Sequence, residues 1–278
     1  NLGYLEMMFT RTGGYGALRE YLLALLTPLY NSVGFEDNPD DLLLDQFTRN
    51  MARAWSCKFG LEDCVSNSVD LYAQWMKDPA DLTIISPNEK STVYCTAIAE
   101  GTEEHWDFAW NQFLTTNLAS QKDTIMSALG CSTEVWILSR YLEMAFTEDS
   151  GIRKQDASRV FSAVANNDIG RDLAWDYLRN NIEMISSYFN TFTVIGGMVE
   201  TVSYEFNTNE ELASLKQFKE DNSDILSGAT NSINQSIERT AINIDWMDNY
   251  YDLIVAWLQD NGYGTRLRHI ASRKQQPR

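Results

Sequence analysis

The residues of this chain most able to ligate a metal or to form cross-links are its cysteines and histidines. There are four cysteines and two histidines: Cys57, Cys64, Cys95, Cys131, His105 and His269. A zinc site is disfavoured, because there is no Cys-x-x-Cys pair and the two histidines stand far apart. The four cysteines allow three disulfide pairings. Four free thiols in a cytosolic helical adaptor are the alternative that the cysteines alone leave open.

The sequence contains no catalytic constellation that we can recognise. A zinc peptidase places two histidines one helical turn apart, with a glutamate general base between them, and His105 and His269 cannot form that pattern. There is neither a Gly-x-Ser-x-Gly elbow nor a glycine-rich phosphate loop. Adjacent carboxylates such as Glu103 and Glu104 are typical of a solvated helix face. We therefore predict that this chain does not itself catalyse hydrolysis, and we interpret His105 as a structural or surface histidine.

Length and composition indicate a large folded chain with an acidic surface. With 278 residues, 44% of them apolar, the chain can bury a substantial core and is not disordered as a whole. Its 22 basic and 39 acidic residues give a net charge of −17, which argues against nucleic acid and anionic membrane surfaces as partners. No apolar run approaches the roughly 20 residues that cross a bilayer. Because the chain begins inside a predicted helix, we expect it to be part of a longer protein.

The periodicity of the sequence predicts an all-α fold. Apolar residues recur at the three- and four-residue spacing of a helix face. No proline occurs between residues 88 and 276, which permits a long succession of helices joined by short turns. We predict ten or more helices, mostly of roughly 10 to 18 residues, arranged as an irregular α-solenoid of antiparallel pairs.

Local signals refine this prediction near the end of the chain. Thr208 and Glu211 have the spacing of an N-terminal capping box. Residues 191–206 are rich in β-branched side chains, which are compatible with a strand, but we predict a helix there. The last two helices are predicted as separate elements, one over residues 233–244 and one over residues 253–258. From residue 262 the sequence is basic and without periodicity, so residues 262–278 are predicted to form a disordered tail.

A series of short motifs follows one order from residue 4 to about residue 259. The motifs are Thr27-Pro28-Leu29-Tyr30, the connector from Cys57 to Cys64, Gln74-Trp75-Met76, Ser91-Thr92-Val93-Tyr94-Cys95, Trp106-Asp107-Phe108-Ala109-Trp110, Ala128-Leu129-Gly130-Cys131, Trp136-Ile137-Leu138, Ile152-Arg153-Lys154-Gln155-Asp156, Leu215-Lys216-Gln217-Phe218-Lys219 and Asn243-Ile244-Asp245-Trp246. In this order they resemble the helical C-terminal domain of the aminopeptidase N family of zinc peptidases, and the connector is most similar to arthropod gut members. Residues 196–200 only superficially resemble the family's amine-binding Gly-x-Met-Glu-Asn motif, and we interpret them as unrelated to it.

The resemblance implies a domain that works together with a catalytic domain upstream. It implies a superhelical bowl of HEAT-like helix pairs over residues 1–261, which closes over a separate zinc-containing domain and narrows access for peptides. Zinc, its ligands and the general base would belong to that upstream domain, so no cofactor is expected in this chain. The implied reaction removes a neutral N-terminal residue from peptides, and this chain would be the substrate-gating part.

The resemblance also implies how the cysteines pair. It predicts the disulfides Cys57–Cys64 and Cys95–Cys131, and hence an extracellular protein. In the chain-entropy account, a disulfide that closes a loop as long as the one from Cys95 to Cys131 contributes roughly 3–5 kcal/mol to stability. We expect anchoring at the cell surface through a segment outside this chain.

Two further site residues are predicted. The resemblance assigns substrate binding to Arg153, whose planar guanidinium would orient a carboxylate or a backbone carbonyl. A salt bridge with Asp156 or with a neighbouring helix is the alternative role for this arginine. The sequon Asn234-Gln235-Ser236 makes Asn234 a candidate for N-glycosylation.

The resemblance also implies other partners. This domain forms homodimers in some relatives, and gut members of the family are docking sites for bacterial toxins or viruses. The alternative function is therefore a non-enzymatic helical scaffold or receptor surface, for which an α-solenoid offers a large concave face.

Overall fold

The computed structural model describes residues 2–264, without the side chain of Phe192. Every regular element in that range is helical, which confirms the all-α prediction. The α-helices are α1 (Leu2–Phe9), α2 (Tyr15–Val33), α3 (Leu43–Lys58), α4 (Glu62–Lys77), α5 (Lys90–Glu100), α6 (Glu103–Thr115), α7 (Ala119–Leu129), α8 (Val135–Ala145), α9 (Ala157–Ala165), α10 (Gly170–Asn180), α11 (Ile182–Phe189), α12 (Phe192–Val202), α13 (Asn209–Asp221) and α14 (Thr230–Asp260). Two 3₁₀ turns occupy Lys154–Asp156 and Ser227–Ala229.

The helices stack in a solenoid-like order. Helices that are consecutive in the chain pack together, as in the pairs α2/α3, α4/α5, α6/α7, α8/α9 and α13/α14. Helices two places apart also pack, as in α5/α7, α7/α9, α8/α10 and α12/α14. Nearly all of the helix contacts link elements one to three places apart along the chain, which is the pattern of a solenoid, and the packing of α14 against α2 is the exception. The predicted α-solenoid is therefore confirmed.

The buried apolar side chains form two separate clusters. The larger cluster extends from Tyr30 to Ile233 and includes side chains of α4 to α13. The smaller cluster is built by α1, α2 and the C-terminal half of α14, and includes Phe9, Leu22 and Leu258. Because α14 contributes Ile233 to one cluster and Leu258 to the other, it connects the last helices of the solenoid to the first.

The structure corrects the prediction of two separate helices at the end of the chain. In its place α14 runs without a break for 31 residues. Residues 230–260 contain neither glycine nor proline, so nothing in the sequence ends a helix there. The two apolar segments looked like two elements because each half of α14 packs into a different cluster.

The two local predictions near α12 and α13 are confirmed. Residues 191–206 contain the helix α12. The Thr208 hydroxyl accepts a hydrogen bond from the Glu211 backbone N–H at 3.2 Å, and the Glu211 carboxylate accepts one from the Thr208 backbone N–H at 3.0 Å. These reciprocal bonds form the predicted capping box and satisfy backbone donors that a helix start leaves unpaired.

Two disulfides cross-link the solenoid. Cys57–Cys64 joins the end of α3 to the start of α4, with Cα atoms 5.1 Å apart. Cys95–Cys131 joins α5 to the turn after α7, with Cα atoms 5.3 Å apart. These are the two pairs that the family resemblance implies, and they leave no free cysteine.

The described chain continues past the predicted domain end at residue 261. The ring of Tyr263 packs edge-on against Tyr21, with centroids 5.2 Å apart, and the Gly264 backbone N–H donates to the Glu20 carboxylate at 2.9 Å. Residues 265–278, which make up most of the predicted tail and include His269, lie outside the described residues. Within residues 2–264, no helix is both long and apolar enough to span a membrane.

Candidate functional site

The backbone before Arg153 is held close to α6 by a glycine. Gly151 has a φ of +95°, a conformation that residues with a side chain rarely adopt. A Cβ atom at this position would lie 2.5 Å from the Leu114 Cδ2 atom of α6. Ile152 is buried beside it, and the Asp156 backbone N–H donates to the Arg153 carbonyl at 2.7 Å. The loop from α8 to α9 therefore presents Arg153 from a fixed backbone.

Arg153 forms the salt bridge that was the alternative to substrate binding. Its Nε donates to the Asp156 Oδ2 at 2.6 Å. The side chain of Asp156 is 6% exposed, whereas that of Arg153 is 68% exposed. The hydrogen bond and the charge of Asp156 raise the pKa of the Arg153 guanidinium. Among the described residues, the two terminal nitrogens of Arg153 have no hydrogen-bond partner, so the salt bridge and ligand binding are compatible.

Arg153 lines a cleft of about 260 Å³ between α6, α7 and the loop that precedes α9. Phe113 and Met126 are buried and give the cleft an apolar base. Lys122 lies on the α7 side, with its ammonium group 5.4 Å from the centroid of the Phe113 ring. The cleft thus combines an apolar base with two cationic side chains, which suits a ligand that has both an apolar and a polar part.

The carboxylates around the cleft are held by a second arginine. The Arg159 Nη1 donates to the Asp123 Oδ1 at 2.7 Å and lies 4.0 Å from the Asp156 Oδ1. Together with Arg153 and Lys122, these groups give three positive and two negative charges in a chain whose net charge is −17. The cleft contains cations that can donate hydrogen bonds, but no hydroxyl or thiol nucleophile paired with a histidine.

The described residues of this chain, 2–264, do not fit a zinc ion. Within residues 2–264, no group of three or more His, Cys, Asp or Glu side chains is arranged to hold a metal. The four cysteines are consumed by disulfides. His105 has a structural role, because its Nδ1 accepts a hydrogen bond from the Thr102 backbone N–H at 3.2 Å at the start of α6.

Of the two glycines inside α12, Gly196 has a packing role. A Cβ atom at Gly196 would lie 3.2 Å from the Ser232 Oγ atom and 3.3 Å from the Ala229 Cβ atom. Gly196 therefore lets α12 approach the start of α14 closely. Both glycines are more than 35 positions away in the sequence from the residues that line the cleft. The interpretation that residues 196–200 are unrelated to an amine-binding motif stays a prediction.

Asn234 lies within α14 and is partly buried. Its Oδ1 accepts a hydrogen bond from the Lys219 Nζ at 2.7 Å, and Ser236 of the same sequon is fully buried. Glycosylation at Asn234 stays a prediction.

The sequence identified only part of the cleft. The motif from Ile152 to Asp156 supplies both Arg153 and its partner Asp156. Lys122, Asp123 and Arg159 were missed, because two of them come from a helix some 30 positions earlier in the chain. Pairing across helices depends on tertiary packing, and no local spacing in the sequence signals it.

Comparison with known proteins identifies the family to which this helical chain belongs. The family described as the ERAP1-like C-terminal domain matches residues 1–242. The chain belongs to this family. The match covers the cleft and both disulfides, and it confirms the resemblance drawn from the ordered motifs.

The relatives are peptidases that are much longer than this chain. Over 268 residues the chain is 39% identical to aminopeptidase N of Rattus norvegicus, covering 94% of the chain and 28% of that protein. It is 36% identical to aminopeptidase N of Homo sapiens over 268 residues, with coverages of 94% and 27%. It is 27% identical to the thyrotropin-releasing hormone-degrading ectoenzyme of Rattus norvegicus over 272 residues, with coverages of 95% and 24%. The chain spans about a quarter of the length of these curated relatives.

Proposed function

We propose that this chain is the substrate-gating C-terminal domain of a zinc aminopeptidase that removes neutral N-terminal residues from peptides. The observation that carries the proposal is the similarity to aminopeptidase N over 94% of the chain but only 28% of that relative. The remainder of such a protein, here called the parent protein, would supply the catalytic domain. The stacked helices, in the bowl-like arrangement that the family resemblance implies, would then cap the active site and restrict which peptides reach it.

The chemistry of the described residues supports this division of roles. The cleft beside Arg153 offers donors and an apolar base, which bind and orient a ligand, whereas residues 2–264 offer no metal-binding group. In the proposed enzyme the zinc would activate water in the upstream domain. Arg153 would contact the peptide through the two terminal nitrogens that Asp156 leaves unused, and the chain itself would be non-catalytic.

The proposal also includes an extracellular location and attachment to the cell surface. Two disulfides are typical of proteins that fold in an oxidising compartment. One relative is named an ectoenzyme, and the acidic net charge suits such a surface. Peptide mapping of the secreted protein would test this point, since it should recover both disulfide-linked peptides and show whether Asn234 carries a glycan.

The direct test is to purify the native parent protein with an antibody against this chain. We expect a protein about four times as long as the chain, since the chain spans 28% of aminopeptidase N, with bound zinc and with hydrolysis of an alanine or leucine anilide. Removal of zinc by a chelator should abolish the activity. A zinc-free protein no larger than this chain would refute the proposal.

A second candidate function, a receptor or scaffold surface, is favoured by one feature of α3. A group of large apolar side chains is exposed from the residue before this helix to its third turn, and each is between 53% and 75% exposed: Leu42, Leu43, Leu44, Phe47 and Met51. Exposed apolar groups of this size are typical of protein-binding surfaces. If the parent protein were inactive but the chain bound a bacterial toxin or a viral protein directly, this function would replace gating.

A further inference from the structure

Asp156 is the most deeply buried charge among the described residues that line the cleft beside Arg153. It is 4% exposed, whereas the side chain of Arg153 is 68% exposed. Burying a carboxylate is costly unless charged donors compensate it. The contacts of Asp156 therefore indicate what this carboxylate does.

The first contact of Asp156 is with the guanidinium group of Arg153. The Arg153 Nε donates to the Asp156 Oδ2 at 2.6 Å, and a hydrogen bond between two charged groups is stronger than one between neutral groups. Because the guanidinium is rigid and planar, a bond at Nε limits the directions in which its two terminal nitrogens can point. Asp156 thus controls the part of Arg153 that it does not itself contact.

The backbone between the two residues reinforces this geometry. The 3₁₀ turn over Lys154–Asp156 brings the Asp156 backbone N–H to the Arg153 carbonyl at 2.7 Å. Arg153 and Asp156 are therefore joined once through the backbone and once through their side chains. The guanidinium cannot leave its direction toward the cleft without giving up the side-chain bond.

The second oxygen of Asp156 faces a pair of charges that reaches α7. The Asp156 Oδ1 lies 4.0 Å from the Arg159 Nη1, and the same nitrogen donates to the Asp123 Oδ1 at 2.7 Å. Arg159 belongs to α9 and Asp123 to α7, and these two helices pack together. Including Arg153, the four charges alternate in sign, and the series connects Arg153 to the α7 side of the cleft.

A held arginine binds a ligand better than a free one. An exposed arginine without a partner samples many conformations, and a ligand that uses it must order it. Ordering one such side chain lowers affinity by roughly three- to tenfold. Because Asp156 orders Arg153 in advance, most of this loss is avoided when a ligand enters the cleft.

We propose that Asp156 is a positioning residue, which holds the terminal nitrogens of Arg153 toward the cleft before a peptide binds. Arg159 and Asp123 support the carboxylate, and Asp156 does not contact the peptide itself. The proposal rests on the proposed function, because it requires that Arg153 binds the peptide.

Kinetics of the parent protein on short peptides test the proposal in a double-mutant cycle. The variants are Asp156→Ala, Arg153→Gln and the two combined. Alone, Asp156→Ala should lower kcat/KM about three- to tenfold, mainly by raising KM. In the Arg153→Gln background it should change kcat/KM less than about twofold, because a positioning residue has no effect once the residue that it positions is gone.

Two further variants separate positioning from a general effect on the fold. Asp156→Asn retains an acceptor oxygen for the Arg153 Nε, so it should recover part of the loss in kcat/KM. Asp176→Ala is the matched control, because Asp176 pairs with Arg179 at the same spacing of three and neither residue lines the cleft. The control should keep kcat/KM within about twofold of the unmodified enzyme. Melting temperatures show that each variant is folded.

NMR of the 278-residue chain with labelled arginine measures the positioning without a peptide. Exchange of the Arg153 Nε–H with water should be slow, because Asp156 accepts this proton, and at least about tenfold faster in Asp156→Ala. The spectrum of Arg153→Gln identifies the signal by its absence. The Nε–H of Arg179 is the reference, because Arg179 pairs with Asp176 through a terminal nitrogen, and it should exchange equally in both chains.

Three results would overturn the positioning role alone. The first is a fall in kcat/KM for Arg153→Gln without a fall for Asp156→Ala. The second is an equal fall for Asp156→Ala in both backgrounds, because Asp156 would then act through the fold. The third is an equal exchange rate of the Arg153 Nε–H with and without the carboxylate. An unchanged kcat/KM for Arg153→Gln would instead refute peptide binding by Arg153, and the positioning role with it.

Discussion

Arg53 and Arg153 show two different uses of the same side chain in one molecule. Arg53 on α3 is fully buried, and its terminal nitrogens donate to the Phe35 carbonyl at 2.5 Å and to the Asn88 carbonyl at 2.9 Å. It also pairs with Glu89 at 3.3 Å. Arg153 is 68% exposed and engages one partner through Nε alone.

The difference separates a residue that maintains the fold from one that is free to bind. Burial lowers the pKa of Arg53 and raises that of Glu89, so both ions bear a desolvation cost that their mutual contacts offset. The terminal nitrogens of Arg153 remain in water beside an apolar cleft. The comparison predicts large effects on stability around Arg53 and small ones around Arg153, in the following order.

The largest expected effect is that of Arg53→Ala. The substitution leaves the buried Glu89 carboxylate without its positively charged partner and two backbone carbonyls without the Arg53 donor, so we expect a loss of about 3–5 kcal/mol in the free energy of unfolding. Urea denaturation of the 278-residue chain with intact disulfides measures this loss. Arg153→Ala is the control, and a loss below about 1 kcal/mol for Arg53→Ala would contradict the structural role.

The next effect concerns how the free energy of unfolding of the chain depends on pH through the titration of Glu89. Burial raises the pKa of Glu89 in the folded chain. Between its ordinary pKa and the raised one, the folded chain binds more protons than the unfolded chain, so the free energy of unfolding falls as pH rises, by up to about 1.4 kcal/mol per pH unit.

The substitution Glu89→Gln should remove this decline. Denaturation of both chains at several values between about pH 4 and pH 7 gives the difference in slope. Glu104→Gln, at an exposed position in the first turn of α6, serves as the control and should leave the slope unchanged. Parallel curves for Glu89→Gln and the unmodified chain would show that Glu89 does not titrate as its burial indicates.

A smaller effect is expected for Asp156→Asn. Asp156 is 4% exposed, and its two oxygens face Arg153 and Arg159. Because both arginines can turn to water, we expect a loss of only about 1 kcal/mol. Asp176→Asn, in the exposed pair with Arg179, should cost less than about 0.5 kcal/mol. Equal losses for the two variants would show that burial of Asp156 adds nothing.

The smallest expected effect on stability is that of Arg153→Gln. Its charge is largely exposed, so the free energy of unfolding should change by less than about 0.5 kcal/mol. Thermal and urea unfolding of the chain would measure the change. A loss comparable to that of Arg53→Ala would mean that Arg153 maintains the fold, and the contrast between the two arginines would disappear.

The sequence predicted the architecture better than it predicted the cleft. Helix periodicity and the long stretch without proline were sufficient for an all-α solenoid, and the Thr208–Glu211 spacing was sufficient for a capping box. The continuity of α14 was missed, because its buried face changes from one cluster to the other along its length. Periodicity alone cannot distinguish that change from a break between two helices.

The cleft shows, for single side chains, that local sequence patterns do not reveal which helices pack together. Arg153 and Asp156 lie three positions apart, so one motif contains both. Lys122 and Asp123 reach the cleft only because α7 packs beside α9. The role of Arg53 was also missed, because an arginine in an amphipathic helix is normally expected on the exposed face. In α3 the arrangement is reversed: Arg53 is buried and the exposed face carries apolar side chains.

The central proposal is that Arg153 binds substrate without maintaining the fold, and kinetics of the proposed parent protein test it most directly. The measurement is kcat/KM on short peptides for Arg153→Gln, with Arg179→Gln as the control, because Arg179 is also exposed and also pairs with an aspartate three positions away. The account predicts a fall of at least about tenfold for Arg153→Gln, no more than about a twofold change for the control, and unchanged melting temperatures for both. Equal values of kcat/KM for the two variants would contradict it.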